Sequence, residues 1–443
     1  MRQRQCRGKY SKGKAISGHS SQQAAGRPRR LAAAHGGWPA RSVMVHVVLL
    51  AEAPTGTSGG GGGTTRAHTV DERLAAFREL APASVTVELV PWDSARPDLM
   101  LASLRPADVV VALFAFSPAP ELRWRYFGEC LVPLVPELPN LKLINLLSSG
   151  FDEYLTSADV VWLEERGVTV ANNGGANAVG VSETVLGLMY TLSRGFLANV
   201  ANVRAGLWNR SDQGKAYLSG LAGGGPVEIV GSTVGIVGFG NIGRQVARRL
   251  SGYDCEVLYY DTDDLVIGRD GELGATYTPF EELLARSDTV TMHVPHTAQT
   301  RGMMGAPQFA MMKSSAVYIS TCRGPVTVEA DLIEALRSGT IAAAGLDVTE
   351  VEPLPRESEL LSLENCVVTP HNAGGTLAAS HKAMLFVMRN VARLQDGLLP
   401  LSSVLQYALD APPPASDDDE GDGSSGEGGN ANVEQTASAS ARL

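Results

Sequence analysis

Disulfide chemistry has little to work with in this chain. Its 443 residues hold five cysteines (Cys6, Cys130, Cys255, Cys322 and Cys366), widely scattered and with no Cys-x-x-Cys pair. That usage argues for a reducing compartment and against a disulfide scaffold or a zinc site, so no metal is expected. Long apolar runs are also missing. A membrane-spanning helix needs about 20 such residues, and the best stretch, 43–51, is short and contains His46. Basic charge is scarce where a fold is expected, because residues 44–410 carry a net charge of −14. A body that acidic repels nucleic acid and anionic membrane, so neither is expected as a partner.

What the chain does have is apolar material. Hydrophobic residues make up 44% of it and charged ones 19%, and mean hydropathy is near zero. Collagen, coiled coil and wholesale disorder are excluded, and the length suits two domains with a large core. The ends differ from the middle. Residues 1–43 carry ten basic residues and no acid, a composition that suits an organellar transit peptide, chloroplast or mitochondrial. A start of translation at Met44, directly before an apolar strand at 45–50, fits equally well, and the location is then cytoplasmic. Residues 411–443 carry seven acids and one Arg and too few apolar side chains to fold, so an acidic disordered tail is expected. The stretch 55–65, with Gly59–Gly63, reads as a flexible loop.

Between the ends, short apolar runs alternate with helical patterns. Strands are expected at 45–50, 85–90, 109–114, 141–147, 168–171, 234–237, 257–260, 289–294, 316–320, 342–346 and 366–369. Many are apolar throughout, as strands covered on both faces are. Helical patterns lie at 179–193, 242–251, 280–285 and 328–337. The expectation is an α/β chain with two Rossmann-like domains.

One local motif carries chemistry. Thr233-Val234-Gly235-Ile236-Val237-Gly238-Phe239-Gly240-Asn241-Ile242-Gly243 joins an apolar strand to a helix, and a second strand ends in Asp261. Gly238 permits the tight turn. Gly240 lets backbone N–H groups reach a pyrophosphate at the helix N-terminus, and Gly243 lets helix and strand pack closely. Asp261 suits the two ribose hydroxyls. Asp263 and Asp264 follow, with no Arg before Arg269. A 2′-phosphate would meet repulsion there, so NAD is expected over NADP. Three later segments end strands with reactive groups: Ser320-Thr321-Cys322-Arg323-Gly324, Gly345-Leu346-Asp347-Val348-Thr349-Glu350-Val351-Glu352-Pro353, and Val368-Thr369-Pro370-His371-Asn372-Ala373. Each alone has a bland explanation as a surface charge or loop residue. Their order after one dinucleotide motif changes the weighing.

Together with Gly150-Phe151-Asp152, Asn173-Gly174-Gly175-Ala176-Asn177-Ala178, Glu183 and His293-Val294-Pro295, these segments resemble the D-isomer-specific 2-hydroxyacid dehydrogenases. That family includes phosphoglycerate dehydrogenases and glyoxylate/hydroxypyruvate reductases. The likeness covers about 44–405. It implies a flavodoxin-like substrate domain at 44–172 and 372–410. It also implies an NAD-binding doubly wound parallel sheet at 173–371, hinge closure between the two, and a homodimer through the NAD domain. It implies transfer of hydride between NADH and a small 2-oxo acid. Arg323 would hold the substrate, His371 would exchange the proton and Glu352 would orient His371. Ser149, Gly150 and Phe151 would complete the substrate cradle with Arg323 and His371. The implied cofactor set is Gly238, Gly240, Asn241, Ile242, Gly243, Asp261, His293, Val294, Pro295, Thr321, Cys322, Asp347, His371 and Ala373, with Asp347 at the nicotinamide end.

Five positions depart from the commonest family wording: Cys322 for Ala, Val328 for Asp, His296 for Leu, Thr184 for His and Thr349 for an aromatic. None removes a catalytic group, so they bear on substrate subtype. Cys322 reads as a small apolar filler, and His293 and His296 as structural or cofactor-adjacent. Relatives that act as NADH-sensing scaffolds or corepressors keep the same Arg, Glu and His, so that function class stays open. A formate dehydrogenase is disfavoured by Glu352, where that subfamily has Gln. The acidic tail in place of a regulatory domain favours a glyoxylate/hydroxypyruvate type of reductase.

Overall fold

The computed structural model describes residues 44–52, 70–92, 97–112, 125–152, 154–208, 228–263, 266 and 271–410. The expectations for 1–43, 55–65, 113–114, 411–443, Asp264 and Arg269 lie outside those residues. The described residues build two α/β domains, each around one parallel sheet. No helix among them is long and apolar enough to cross a membrane.

The first sheet contains β1 (Val45–Glu52), β2 (Val85–Trp92), β3 (Val109–Ala112), β4 (Leu143–Leu146) and β5 (Thr169–Ala171). Their order is β2-β1-β3-β4-β5, which is the flavodoxin-like winding. Period-2 alternation divides the apolar side chains between two faces. Val48, Leu50, Val110, Ile144, Leu146 and Val170 enter one core. Val45, Val47, Leu49, Val109, Val111, Leu143 and Ala171 enter the other, and there they meet Met384, Val387, Val391 and Leu394. Those four residues line one side of the helix Leu377–Gln395, so the C-terminal part of the chain returns to the first sheet. A strand apolar on both faces is the sequence signature of this two-sided burial.

The second sheet contains β6 (Thr233–Val237), β7 (Glu256–Tyr260), β8 (Ala275–Tyr277), β9 (Thr289–Met292), β10 (Val317–Ser320), β11 (Ala343–Leu346) and β12 (Cys366–Val368). Its order is β12-β11-β10-β9-β6-β7-β8. The winding reverses between β6 and β9, and that crevice is where open α/β sheets bind ligands. The helix Ala178–Ser193 packs Val185, Leu188, Met189 and Leu192 onto this sheet, so the chain has changed sheets between β5 and that helix.

Two differences from the sequence reading have simple causes. β8 was not anticipated, because its three residues are too few to show a period. The strand expected at 289–294 stops at Met292, where both of its neighbours also end, β6 at Val237 and β10 at Ser320.

Candidate active site

The turn after β6 is built by close approach. Gly238 has φ +91°, and a Cβ there would lie 2.7 Å from the His293 carbonyl group. Gly243 begins the helix Asn241–Leu250 so near the strand that a Cβ would overlap the Gly238 carbonyl oxygen. Gly240 caps that helix and faces open space. The first N–H groups of a helix have no intrahelical acceptor, and an anion at that end is stabilised. After β7, Asp261 accepts from the Phe239 N–H at 2.7 Å and from the Asp263 N–H at 3.0 Å. Carboxylate oxygens have lone pairs left for ribose hydroxyls. This turn and this acid fit a dinucleotide with an unphosphorylated ribose. Asn241 lies against Gly175, where a Cβ would meet its amide nitrogen at 2.5 Å, so the segment that leaves the first sheet borders the turn. Ile242 packs at the edge of the core.

The neighbouring strand ends close over the turn. The His293 N–H donates to the Val237 carbonyl at 2.7 Å. Its ring is set between Thr291 Oγ1, 2.9 Å from Nε2, and Thr321 Oγ1, 3.4 Å from Nδ1. Burial pushes the imidazole down to about 3, so it is neutral at physiological pH. Val294 packs against the core of the second sheet, and the Pro295 carbonyl accepts from Thr300 Oγ1 at 2.6 Å. Thr321 and Cys322 are buried. The Cys322 sulfur lies 3.5 Å from Ser320 Oγ, and burial pushes its thiol up, away from the reactive thiolate.

Arg323 follows β10 and reaches across to the first sheet. Its Nε donates to Asp152 Oδ2 and Oδ1 at 3.1 and 3.3 Å, and its Nη1 to the Cys322 carbonyl at 2.9 Å. A Cβ at Gly150 would overlap Arg323 Nη2, so the guanidinium rests on the backbone of the loop after β4. Burial alone would raise the Asp152 carboxyl, but the charge and hydrogen bonds of Arg323 outweigh it and hold the acid below its usual range. Beside the guanidinium, the backbone N–H groups of Ser149, Gly150 and Phe151 have no acceptor among the described residues. A planar cation next to a row of N–H donors is a cradle for a small carboxylate. The Ser149 hydroxyl turns away from it, donating to Asn177 Oδ1 at 2.6 Å and Asn173 Oδ1 at 3.1 Å. The Phe151 ring belongs to the core.

His371 stands at the third strand end, after β12. Its Nδ1 lies 2.7 Å from Glu352 Oε2, and Glu352 Oε1 accepts from the Thr349 N–H at 2.9 Å. Burial would raise Glu352; the His371 hydrogen bond and charge, the Thr349 N–H and the charge of Arg323 together lower it. Glu352 is therefore ionised and faces Nδ1 of the imidazole. His371 itself has φ +47°, a left-handed backbone that a side chain rarely adopts. Asp347 holds it there. Its Oδ1 accepts from Thr369 Oγ1 at 2.6 Å and the Asn372 N–H at 3.1 Å, and its Oδ2 accepts from the Ala373 N–H at 2.9 Å. The structure thus places the Asp347 carboxylate beneath the His371 loop.

Of the three residues Arg323, Glu352 and His371, the last two are in contact, and the charge of Arg323 acts on Glu352. Two contributors escaped the sequence reading. Asp152 appeared there only as part of a turn, although an acid two residues after the cradle glycine was a usable signal. Thr369 bonds to Asp347 across two strands, and nothing local announces it.

Comparison with known proteins places this geometry among relatives. Residues 186–373 match the family model for the D-isomer specific 2-hydroxyacid dehydrogenase, NAD binding domain. The chain is 35% identical over 281 residues to a glyoxylate reductase of Thermococcus litoralis, covering 63% of this chain and 82% of that protein. It is 34% identical over 254 residues to a hydroxypyruvate reductase of Thermotoga maritima, covering 57% and 77%. The holo form of Rhodotorula graminis D-mandelate dehydrogenase superposes with a TM-score of 0.62 at 26% identity, over 82% of this chain and 97% of that one.

The cradle generates a direct prediction. Gly150→Ala collides with the flexible tip of Arg323, not with backbone. The variant is expected to fold with a melting temperature within about 2 °C of wild type. It should bind oxamate, a small carboxylate, at least about 10-fold more weakly in calorimetry, because a displacement of about 1 Å is costly at such a site. Unchanged oxamate binding would remove Arg323 from the cradle.

Proposed function

The chain belongs to the D-isomer-specific 2-hydroxyacid dehydrogenases, NAD-dependent enzymes acting on CH–OH donors, and on that premise we propose how its own residues divide the work. The observation that carries the proposal is the meeting of Arg323, the open N–H groups of Gly150 and Phe151, and the Glu352–His371 pair at the ends of strands from both sheets. The dinucleotide is held by the Gly238–Gly243 turn, with its pyrophosphate at Asn241 and Ile242 and its adenosine ribose on Asp261. His293, Val294, Pro295, Thr321, Cys322 and Ala373 form the wall toward its nicotinamide end. Bound NADH supplies the reducing equivalents. Arg323 and the N–H groups of Gly150 and Phe151 hold the carboxylate of a 2-oxo acid, so that its carbonyl oxygen faces Arg323 and His371. Protonated His371 donates from Nε2 to that oxygen, and Arg323 stabilises the charge developing on it. In the reverse direction neutral His371 takes the proton of the 2-hydroxy acid.

Substrate binding belongs to 44–172 with 372–410, and dinucleotide binding to 173–371. The proposed substrates are glyoxylate, hydroxypyruvate and their close analogues. Support comes from the glyoxylate and hydroxypyruvate reductases among the relatives and from the guanidinium set beside the Gly150 and Phe151 N–H groups. The direct test is NADH oxidation at 340 nm by the protein beginning at Met44, with glyoxylate, hydroxypyruvate, pyruvate and 3-phosphohydroxypyruvate, repeated with NADPH. Turnover of at least one acid, faster with NADH, is expected. Tight NADH binding with no turnover of any would replace the enzyme by an NADH-sensing protein of the same fold.

The helix Phe196–Arg204 supports a homodimer. It buries none of its side chains; Phe196, Leu197, Val200 and Val203 are each about half exposed, and Trp208 just beyond is 78% exposed. An apolar helix face of this kind is costly in water and suits a second copy of the same chain. Sedimentation equilibrium should give twice the chain mass, and Val200→Glu should halve it. A wild-type monomer at micromolar concentration would refute the dimer.

The Glu352–His371 pair fixes a pH dependence. The pairing needs Glu352 ionised and His371 protonated. Because the Glu352 carboxyl lies below its ordinary 4.5, the low-pH limit lies below that value, and the limit at rising pH is loss of the His371 proton. Glu352→Gln removes the anion that favours imidazolium, so the falling limb of the reduction profile should move to lower pH by about 1 unit. An active variant with an unmoved limb would show that Glu352 does not act through His371.

A further inference from the structure

The loop after β11 borders two parts of the site at one residue. Thr349 is buried there, with 7% of its surface exposed. On one side the loop after β10 presses on its main chain: a Cβ at Gly324, the residue after Arg323, would overlap the Thr349 carbonyl oxygen. On the other side the Thr349 N–H donates to Glu352 Oε1 at 2.9 Å. The Thr349 hydroxyl donates to the Val351 carbonyl, also at 2.9 Å. One residue thus touches both the Arg323 loop and the carboxylate that partners His371.

We infer that Thr349 is a positioning residue, whose hydroxyl closes the turn at 349–351 and so holds the Glu352 carboxylate on His371. The inference rests on the 2-oxo acid reading above and adds the residue that aims its Glu352–His371 pair.

The Glu352 side chain is 35% exposed, so packing alone does not fix it and water competes for its oxygens. Hydrogen bonds fix it instead. Oε1 takes the Thr349 N–H, which leaves Oε2 for His371 Nδ1 at 2.7 Å. The first of these bonds exists only while the chain turns back, so that the N–H of residue 349 meets the side chain of residue 352. A Thr hydroxyl that bonds to nearby backbone stabilises a turn of this kind. Gly324 has the complementary part. Lacking a Cβ, it lets the Arg323 loop rest against the Thr349 carbonyl and back the turn from the far side.

The other polar contacts of this loop do not substitute for the hydroxyl. The Glu350 N–H donates to Glu329 Oε2 at 3.1 Å, and Glu350 Oε2 accepts from the Glu329 N–H at 3.4 Å. Both tie Glu350 to the start of the helix Glu329–Ser338, and neither reaches Glu352. The charges that act on Glu352 are those of His371 and Arg323. His371 faces Glu352, with the Asp347 carboxylate beneath its loop. Loss of the Thr349 hydroxyl leaves every one of these charges in the protein and removes only the aim of the Glu352 carboxylate.

Thr349→Val keeps the branched shape and deletes the hydroxyl, whereas Thr349→Ser keeps the hydroxyl. With glyoxylate or hydroxypyruvate, Thr349→Val should lower kcat/KM about 10-fold and Thr349→Ser less than about 3-fold. In a Glu352→Ala background the Val substitution should cost less than about 2-fold, because the group it aims is gone. NMR titration of the His371 ring gives a readout independent of turnover, in protein labelled with carbon-13 at histidine and assigned with His371→Gln. A carboxylate no longer held on Nδ1 favours imidazolium less, so the ring in Thr349→Val should lose its proton at a pH lower by about 0.5 unit. Thr349→Ser should titrate as wild type does. Equal losses of kcat/KM with and without Glu352 would make Thr349 merely structural and overturn the assignment. A His371 titration unmoved by Thr349→Val would overturn it as well. A wild type that reduces no 2-oxo acid would overturn the 2-oxo acid reading, and the His371 titration would still decide the part played by Thr349.

Discussion

A guanidinium laid on a glycine and clamped by a carboxylate from the other sheet is the constraint on which this site depends. Arg323 leaves β10 of the second sheet, and Asp152 and Gly150 leave β4 of the first. Neither sheet alone makes a cradle. The pair is partly withdrawn from water, with side chains 21% and 39% exposed, so each charge needs the other more than a surface pair would. The Nε bond to Asp152 fixes the plane of the guanidinium and directs it along the open N–H groups of the β4 loop. On the proposed function, recognition of a small anion is then a matter of placement, with the donors in position before the substrate arrives.

His371, the proposed proton-exchanging group, obeys a similar logic with different parts. His371 occupies a backbone conformation that is unfavourable by about 1–3 kcal/mol for a side-chain-bearing residue. Asp347 stabilises it with three hydrogen bonds to the residues on either side. Glu352 then sets the ring and its charge. A buried carboxylate, Asp347, and a half-buried one, Glu352, thus serve one imidazole, one through the backbone and one through the ring. Arg323 contributes to the ionisation of Glu352, so the cradle and the proton donor are electrostatically one unit.

Much of this was legible in the sequence because it is local. The Gly238–Gly243 turn is written in consecutive residues, and its roles for Gly238 and Gly243 are met by the atoms a Cβ would strike. The strands burying both faces showed as unbroken apolar runs. Arg323, Glu352 and His371 lie in the loops after β10, β11 and β12, so the parallel sheet brings those loops to one edge once the strand order is known. What stayed hidden is long-range. Asp152 meets Arg323 across 171 residues, and no spacing rule connects them. The Asp347 carboxylate was assigned to the cofactor from resemblance, whereas its hydrogen bonds run to Thr369, Asn372 and Ala373. His296 read as structural or cofactor-adjacent, because the lack of a partner for its Nε2 among the described residues is a property of folded atoms and leaves no mark in the sequence.

In the proposed mechanism His371 exchanges the proton while Arg323 and the β4 loop hold the acid. It is tested most directly by single-turnover oxidation of enzyme-bound NADH with hydroxypyruvate or glyoxylate, comparing wild type with His371→Gln and recording NADH affinity by fluorescence in parallel. NADH is expected to bind with unchanged affinity and the rate of oxidation to fall by about 100- to 10,000-fold, the range of a lost general acid. A variant that oxidises NADH at the wild-type rate would contradict it.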